Sequence, residues 1–245
     1  MNNFTQISVV ILTKDSENTL QNTLESVSKF SEVVVVDGFS SDSTLSIIKD
    51  FPNVNLFEAT FEGFGKLKNL GSSLSSKPWI LSLDADEVIS EELLNEIENL
   101  DLDKDIAYSI RRENYILGKK IRFSGLGNER IVRLFNREKY SFADKLVHEF
   151  VDLKGKKAEK LNGHITHNSV TDVSQFLLKI AHYSKLSTEE KKTKQISLPL
   201  IILKSFFAFF RTYFLRLGFL DGWRGLLISV SNANGRFYRY IRYLD

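Results

Sequence analysis

Ile7 to Leu12 (ISVVIL) and Glu32 to Val36 (EVVVV) are nearly unbroken apolar runs rich in β-branched residues. Runs without alternation suit strands buried on both faces of a parallel sheet. Val54 to Phe57 and Trp79 to Leu83 predict a third and a fourth strand. The stretches between them predict helices: one running to about Lys29, one opened by Asp42-Ser43-Thr44, and one over Lys66 to Ser76. Ser90 followed by Glu91 and Glu92 predicts a capped helix with Leu93, Leu94, Ile97 and Leu100 on one face. Strand and helix thus alternate, which predicts an α/β fold around a doubly wound parallel sheet. From Ile106 the pattern changes to shorter strands at Tyr108 to Ile110, Ile121 to Phe123 and Ile131 to Phe135, an antiparallel or mixed extension, then a helix over Val173 to Lys192. There is no internal repeat, and the first boundary falls near Thr193. The expected division is residues 1–192 and residues 193–245.

The second region has a different character. From Ser197 to Leu244 there are seven Lys or Arg, one acid (Asp221) and twelve aromatic residues. Lys204, Arg211 and Arg216 interrupt the apolar stretch Leu198 to Leu217, which argues against a bilayer-spanning helix. On a helical wheel Ser197, Lys204, Ser205, Arg211, Thr212 and Arg216 share one arc. Ile202, Leu203, Phe206, Phe207, Phe209, Phe210, Tyr213 and Phe214 share the other. This predicts an amphipathic helix lying in the surface of an anionic membrane; packing on the protein's own core, or a dimer contact, is the alternative.

The rest of the composition narrows the picture in two ways. The chain has 245 residues, 42% of them hydrophobic, enough for one large α/β domain with an appendage, and a net charge of only +2. It has no cysteine, so disulfides and thiolate-bound zinc are excluded. Met1 to Gln6 lacks the basic and apolar blocks of a signal peptide, so residence in the cytoplasm is expected.

Ligands of such sheets bind beyond the carboxyl ends of the strands. That directs attention to Thr13, Lys14, Asp15, Asp37, Asp84 and Asp86. Asp84 and Asp86 stand two apart at a strand end, where a period of two turns both carboxylates the same way. Two such carboxylates suit Mg²⁺ or Mn²⁺ carrying a diphosphate; capping of the next helix is the competing role. Asp37 can accept from a ribose or a base, or it can simply close a turn, while Asp42 and Ser43 read as a helix cap. Gly63-Phe64-Gly65-Lys66 allows close backbone approach before a helix but matches neither a Walker loop nor G-x-G-x-x-G, and by itself reads as a turn with a solvated lysine. His164 and His167 have odd spacing in a predicted strand, so they face opposite ways and make a poor zinc pair. Arg130 and Arg133 likewise oppose each other, so at most one faces a site. Glu129 and Glu149 are both candidate general bases.

Together these segments resemble the inverting nucleotide-sugar glycosyltransferases of the GT-A fold, family 2. The resemblance rests on Ile7 to Thr13, on Val36 to Thr44 (V-D-G-x-S-x-D-x-T), and on Leu81 to Glu87, which carries D-x-D. It extends to the bacterial lipopolysaccharide inner-core β-1,4-glucosyltransferases through Gly63 to Lys66, Asp84 to Glu87, Arg130 to Phe135, Leu146 to Glu149 and the turn Leu220-Asp221-Gly222. Glu129 stands where that subgroup usually has Asp. The resemblance implies a Rossmann-like GT-A domain, a UDP-sugar donor (glucose or another hexose) and a divalent cation, Mg²⁺ or Mn²⁺. It implies that Thr13, Asp37, Lys66, Asp84 and Arg130 contact the nucleotide sugar and that Asp84 and Asp86 hold the metal. Glu129 or Glu149 would be the base, with His148 shaping the same face. With the basic aromatic tail it implies a lipid-linked saccharide acceptor and a peripheral position on the cytoplasmic face of the inner membrane. No nucleic-acid partner is expected, and homo-oligomerisation is left open. A polyprenyl-phosphate acceptor or a non-catalytic scaffold of the same fold are the rival readings.

Overall fold

The structure is a computed structural model that describes residues 2–147, 149–190 and 196–244. In chain order its elements are β1 (Ile7–Thr13), α1 (Leu20–Ser26), β2 (Glu32–Asp37), α2 (Thr44–Ile48), β3 (Val54–Glu58), α3 (Phe64–Leu74), β4 (Trp79–Asp84), β5 (Glu87–Ile89) and α4 (Glu91–Glu98). Then follow β6 (Tyr108–Ile116), β7 (Lys119–Lys120), β8 (Glu129–Asn136), β9 (Ser141–Phe142), β10 (Val151–Asp152), β11 (Glu159–Val170), α5 (Val173–Glu190), α6 (Leu198–Phe210) and α7 (Trp223–Ile241). A π-helical turn (Arg211–Leu215) and a 3-10 turn (Gly218–Asp221) connect the last two helices. The chain divides into two compact units, Met1–Arg112 with Arg130–His167, and Glu113–Glu129 with Asn168–Asp245. The second therefore takes in 113–129 and α5 as well as the stretch after residue 193.

In the first unit the predicted parallel sheet is present. β1 pairs in parallel with β2 and β4, and β2 with β3. β8 adds antiparallel to β4, with Trp79 opposite Asn136, and β5 pairs antiparallel with β11. The whole order is β3-β2-β1-β4-β8-β6-β11-β5; the change of pattern read at Ile106 does precede the antiparallel additions, but β6, β8 and β11, of 9, 8 and 12 residues, are longer than the parallel strands rather than shorter. Both faces are covered. Val9, Ile11, Val33, Val35, Leu81 and Leu83 pack with Leu20, Leu24, Leu93 and Ile97 of α1 and α4, while Val10, Val34, Val36 and Ile80 pack with Leu67 and Phe135 on the other side. Ser90 caps α4 by accepting from Leu93 N at 3.1 Å. One predicted strand is absent: Ile121 to Phe123 is irregular, because Arg122 N and Phe123 N donate to the Asp221 carboxylate instead of to a neighbouring strand.

In the second unit α7 packs against both α5 and α6. α6 buries Ile201, Ser205 and Ala208, and Thr212 continues the stripe, facing a partner helix whose buried residues are Gly225, Ile228, Ser229 and Ser231. Its large apolar residues lie outside: Ile202, Leu203, Phe206, Phe207 and Phe210 are exposed, Phe206 by 66%. Of the polar arc read from the sequence only Ser205 and Thr212 are buried, together with Ile201 and Ala208, while Ser197, Arg211 and Arg216 are exposed along with most of the apolar arc.

α3 reaches β1 through a glycine. A Cβ at Gly71 would lie 2.4 Å from Val10 Cγ1. Gly71→Ala should therefore cost about 1–3 kcal/mol through overpacking. In urea unfolding, Gly71→Ala/Val10→Ala should lose less than the sum of the two single losses, because the second change makes room for the first.

Candidate active site

The register of the parallel strands sets the site. Thr13 lies opposite Asp37 across β1 and β2, and Leu12 lies opposite Asp84 across β1 and β4. Three of the residues picked from the sequence thus sit side by side at carboxyl ends of neighbouring strands. Thr13 is buried, and its Oγ1 has no hydrogen-bond partner among the described residues; a buried hydroxyl left so is costly unless a ligand or water satisfies it.

The loops after β1 and β2 are laced to each other. Lys14 Nζ donates to Gly38 O at 2.7 Å, Ser41 N donates to Asp15 Oδ1 at 2.8 Å, and Ser43 N to Glu17 Oε2 at 3.0 Å. Asp37 is fully buried and accepts from Ser40 N at 2.7 Å and from Ser40 Oγ, so it does close the turn. Asp42 accepts from Thr44 N and Glu17 N. Ser43 holds the N-cap position of α2 without a side-chain bond.

At the end of β4 lies a cluster of buried charge. Lys68 is completely buried, and its ammonium bridges Asp84 Oδ1 at 2.8 Å and Glu149 Oε1 at 3.1 Å. Arg133 Nη2 donates to Asp84 Oδ2 and to Glu87 Oε1, both at 2.7 Å, and Arg112 reaches Glu87 Oε1 at 3.2 Å. Glu87 Oε2 accepts from Asp84 N, fixing the turn between β4 and β5. Three carboxylates face three cations. Burial alone would raise the pKa of Asp84, but Arg133 and Lys68 outweigh it and hold the carboxyl well below the usual carboxylate range. Burial likewise opposes the charge on Arg133, and Asp84 and Glu87 more than restore it.

Several expectations change here. β4 ends at Asp84, and Asp86 stands in the following turn, so the period-two reason for pairing the two carboxylates does not apply. Both oxygens of Asp84 are engaged by Lys68 and Arg133. Asp86 Oδ1 instead lies 3.4 Å from His167 Nε2. His164 and His167 do face opposite ways: His164 is directed toward Glu92. His167 meets Asp86 through the register placing it opposite Glu87. Among the described residues no three His, Asp or Glu gather into a metal cluster, so any cation here needs ligands from its substrate and from water.

Lys66 is half exposed and pairs with Glu62 at 3.6 Å. The turn before it serves packing: a Cβ at Gly65 would lie 2.1 Å from Ala143 O. The buried lysine is Lys68, two positions on, which the sequence pattern gave no reason to choose. Of the two arginines, Arg133 joins the charge cluster, while Arg130 donates to Ser109 O and Leu161 O. Glu149 belongs to the cluster. Glu129 lies in the second unit, where Asn114 Nδ2 donates to it at 3.1 Å. His148 lies outside the described residues.

Comparison with known proteins gives the family of the chain. The model of glycosyl transferase family 2 matches residues 8–152. An uncharacterized glycosyltransferase of Rickettsia prowazekii is 29% identical over 258 residues, covering 98% of this chain and 87% of its own. Another from Rickettsia typhi is 30% identical, covering 96% of this chain and 85% of its own. The lipopolysaccharide core biosynthesis glycosyltransferase LpsC of Rhizobium meliloti is 26% identical, covering 96% and 89%. Among solved structures, S. aureus TarS 1–349 in complex with UDP aligns with a TM-score of 0.49 at 14% identity, over 98% of this chain and 91% of that one.

Removing Arg133 should expose the cost of the cluster. Arg133→Met leaves Asp84 and Glu87 buried without their shared cation and should lower stability by about 3–5 kcal/mol in urea unfolding at pH 7. A carboxyl held below its unfolded value stabilises above that value, about 3.9, and the contribution is lost as pH falls through the lowered folded value. The wild type should keep this contribution down to about pH 4 and lose it on further acidification. The gap between wild type and Arg133→Met should therefore be constant from pH 7 to about pH 4 and begin to narrow below it.

Proposed function

The chain belongs to glycosyl transferase family 2, and we propose that it moves a hexose from a UDP-sugar to a lipid-linked saccharide acceptor of the bacterial envelope, with inversion at the anomeric carbon. The GT-A sheet carries the donor side. The observation that bears most weight is the convergence of Thr13, Asp37 and Asp84 at adjacent carboxyl ends, the side of an open α/β sheet on which ligands bind. In this reading Thr13 and Asp37 meet the nucleoside, with Lys66 and Arg130 as further candidates. The name of LpsC, a lipopolysaccharide core enzyme, supports the envelope acceptor.

The residues present fit a divalent cation. Two ligand atoms bonded at about 2.1–2.2 Å and at right angles lie about 3 Å apart, and Asp86 Oδ1 and His167 Nε2 are 3.4 Å apart. We assign the cation to this pair, with Asp84 orienting the turn that carries Asp86. A mixed oxygen and nitrogen set suits Mn²⁺ better than Mg²⁺. When bound, the cation neutralises charge on the departing diphosphate.

For the base we choose Glu129 over Glu149. Protonating Glu149 would leave the buried Lys68 ammonium with one counter-charge instead of two. Glu129 takes the proton of an acceptor hydroxyl, the oxygen attacks the anomeric carbon, and the bond to the diphosphate breaks with its electron pair. A screen of UDP-sugars for thermal protection in Mn²⁺ names the donor. With that donor and membranes of the native bacterium, Glu129→Gln should slow transfer at least about a hundredfold, the scale of a general base, while retaining UDP binding in calorimetry. His167→Ala should weaken Mn²⁺-dependent UDP binding. Full turnover in both Glu129→Gln and Glu149→Gln would instead favour an acceptor that is already anionic, such as a polyprenyl phosphate.

The membrane position rests on α6. Leu198 to Leu215 is long and apolar enough to cross a bilayer, but the chain returns through α7, whose second half carries Asn232, Asn234, Arg236 and Arg239. A helix that packs through Ser205 and Ala208 and turns Phe206 and Phe207 outward is built for a lipid neighbour. We therefore read α6, the turns and the start of α7 as a hairpin seated in the cytoplasmic leaflet, its arginines toward anionic headgroups. Phe206→Glu/Phe207→Glu changes exposed positions only, so it should fold normally yet fail to float with phosphatidylglycerol vesicles that carry the wild type. Equal flotation would overturn this reading.

A further inference from the structure

One buried carboxylate plays no part in the donor site. Asp221 ends the 3-10 turn between α6 and α7 and accepts three hydrogen bonds, from Arg122 N at 3.0 Å, Phe123 N at 3.1 Å and Ser124 Oγ at 2.8 Å. Ser124 N in turn donates to Arg216 O at 2.9 Å. Arg224, at the start of α7, donates to Ile116 O and Leu117 O at 3.0 and 2.8 Å. The turn 216–224 therefore grips the segment 116–124 at both ends.

Backbone conformation points the same way. Ser124 and Leu217, one on each side of the grip, both have positive φ, at 59° and 54°. Non-glycine residues stay in that region only where their surroundings hold them. The glycines allow the approach: a Cβ at Gly125 would lie 2.8 Å from Arg216 Cδ, and one at Gly225 would lie 1.7 Å from Gly218 O. Glu129 follows the gripped segment in the same unit. Asn114 fastens it, donating through one amide to Leu126 O at 2.9 Å and to Glu129 Oε2 at 3.1 Å.

We propose that Asp221 is a positioning residue: its carboxylate clasps the loop 122–124 and so orders the segment that presents Glu129, making the membrane hairpin part of the catalytic apparatus as well as its anchor. This rests on the reading of Glu129 as base. A carboxylate suits the task because its two oxygens accept from adjacent backbone N–H groups and a hydroxyl at once, with charge-assisted strength. An amide in its place offers one acceptor and turns N–H groups toward other donors. Misplacing a reacting group by about 1 Å costs on the order of a hundredfold in rate.

Asp221→Asn, made in the whole chain, tests the idea by hydrogen exchange and kinetics. The amides of Arg122 to Glu129 should exchange at least about tenfold faster, while those of β1 and β2 stay protected. With the donor found by the UDP-sugar screen and native membranes as acceptor, kcat should fall about ten- to a hundredfold with donor KM, Mn²⁺-dependent UDP binding and vesicle flotation unchanged. Asp221→Glu, which keeps the charge and both acceptor oxygens, should recover part of the rate. Ser124→Ala removes one of the three donors without disturbing the carboxylate, and should give a smaller change of the same kind should Asp221→Asn not accumulate. Wild-type exchange at 122–129, or wild-type kcat in the presence of faster exchange, overturns the clasp. Full activity of Glu129→Gln overturns the base and the catalytic role of the clasp together, so the two failures are told apart.

Discussion

A lysine with no exposed surface needs counter-charges, and meeting that need organises the first unit. Lys68 sits on α3, Asp84 at the end of β4, and Glu149 shortly before β10. Lys68 could not be buried without the other two, because an ion in a low-dielectric interior is costly until it is paired and hydrogen-bonded. Arg133 on β8 closes the arrangement by holding Asp84 and Glu87 together. The glycines of Gly63-Phe64-Gly65 bring the start of α3 against residues 143–146, where Phe64 N donates to Leu146 O and Gly65 N to Lys145 O. The glycine turn thus brings the chain approaching Glu149 to the helix that carries Lys68. Asp84, the most conspicuous acid in the sequence, is spent on orienting its own neighbourhood. The turn it anchors then carries Asp86 to His167.

This accounts for what could be read in advance. The strands and helices were legible because unbroken apolar runs and a capped amphipathic helix are local signals, and the identity of the strand-end residues Thr13, Asp37 and Asp84 followed from where those runs stop. What the side chains do there was less legible. Lys68 and Lys66 differ by two positions in one helix, and only the packing of α3 on β1 decides which is buried. His167 and Asp86 are 81 positions apart in sequence and meet because β11 returns antiparallel beside β5. A pairing created by strand order cannot be read from spacing within one segment. The missed irregular stretch Ile121 to Phe123 has the same origin: its backbone donors are claimed by a carboxylate from the far end of the chain.

The second unit obeys a different rule. In water, the large apolar residues of a helix face inward and the small or polar ones are free to face out. α6 buries Ile201 in the usual way but turns Ile202, Leu203, Phe206, Phe207 and Phe210 outward and packs Ser205 and Ala208 inward, with Ser205 Oγ and Ser229 Oγ satisfied by donating to the carbonyls of Ile201 and Gly225. Such packing allows close helix approach with only Ile201 and Ile228 as large buried apolar residues beside the small ones, which leaves Phe206, Phe207 and Phe210 facing out. The charge balance agrees. Of the acids and bases between Ser197 and Leu244, the one acid is Asp221, and it is buried against its three donors, so the cations determine the charge that this stretch offers to its surroundings.

The position of that acid links the two halves of the proposal. An anchor alone would require only a greasy surface and a connection to the domain it serves. Here the connection is a turn with a residue at positive φ, closed by glycines that leave no room for a Cβ, and its carboxylate is directed at backbone N–H groups of the segment leading to Glu129. If the acceptor is a sugar fixed to a membrane lipid, the hydroxyl to be deprotonated lies at a height set by the bilayer, and a base whose loop hangs from the membrane hairpin inherits that height.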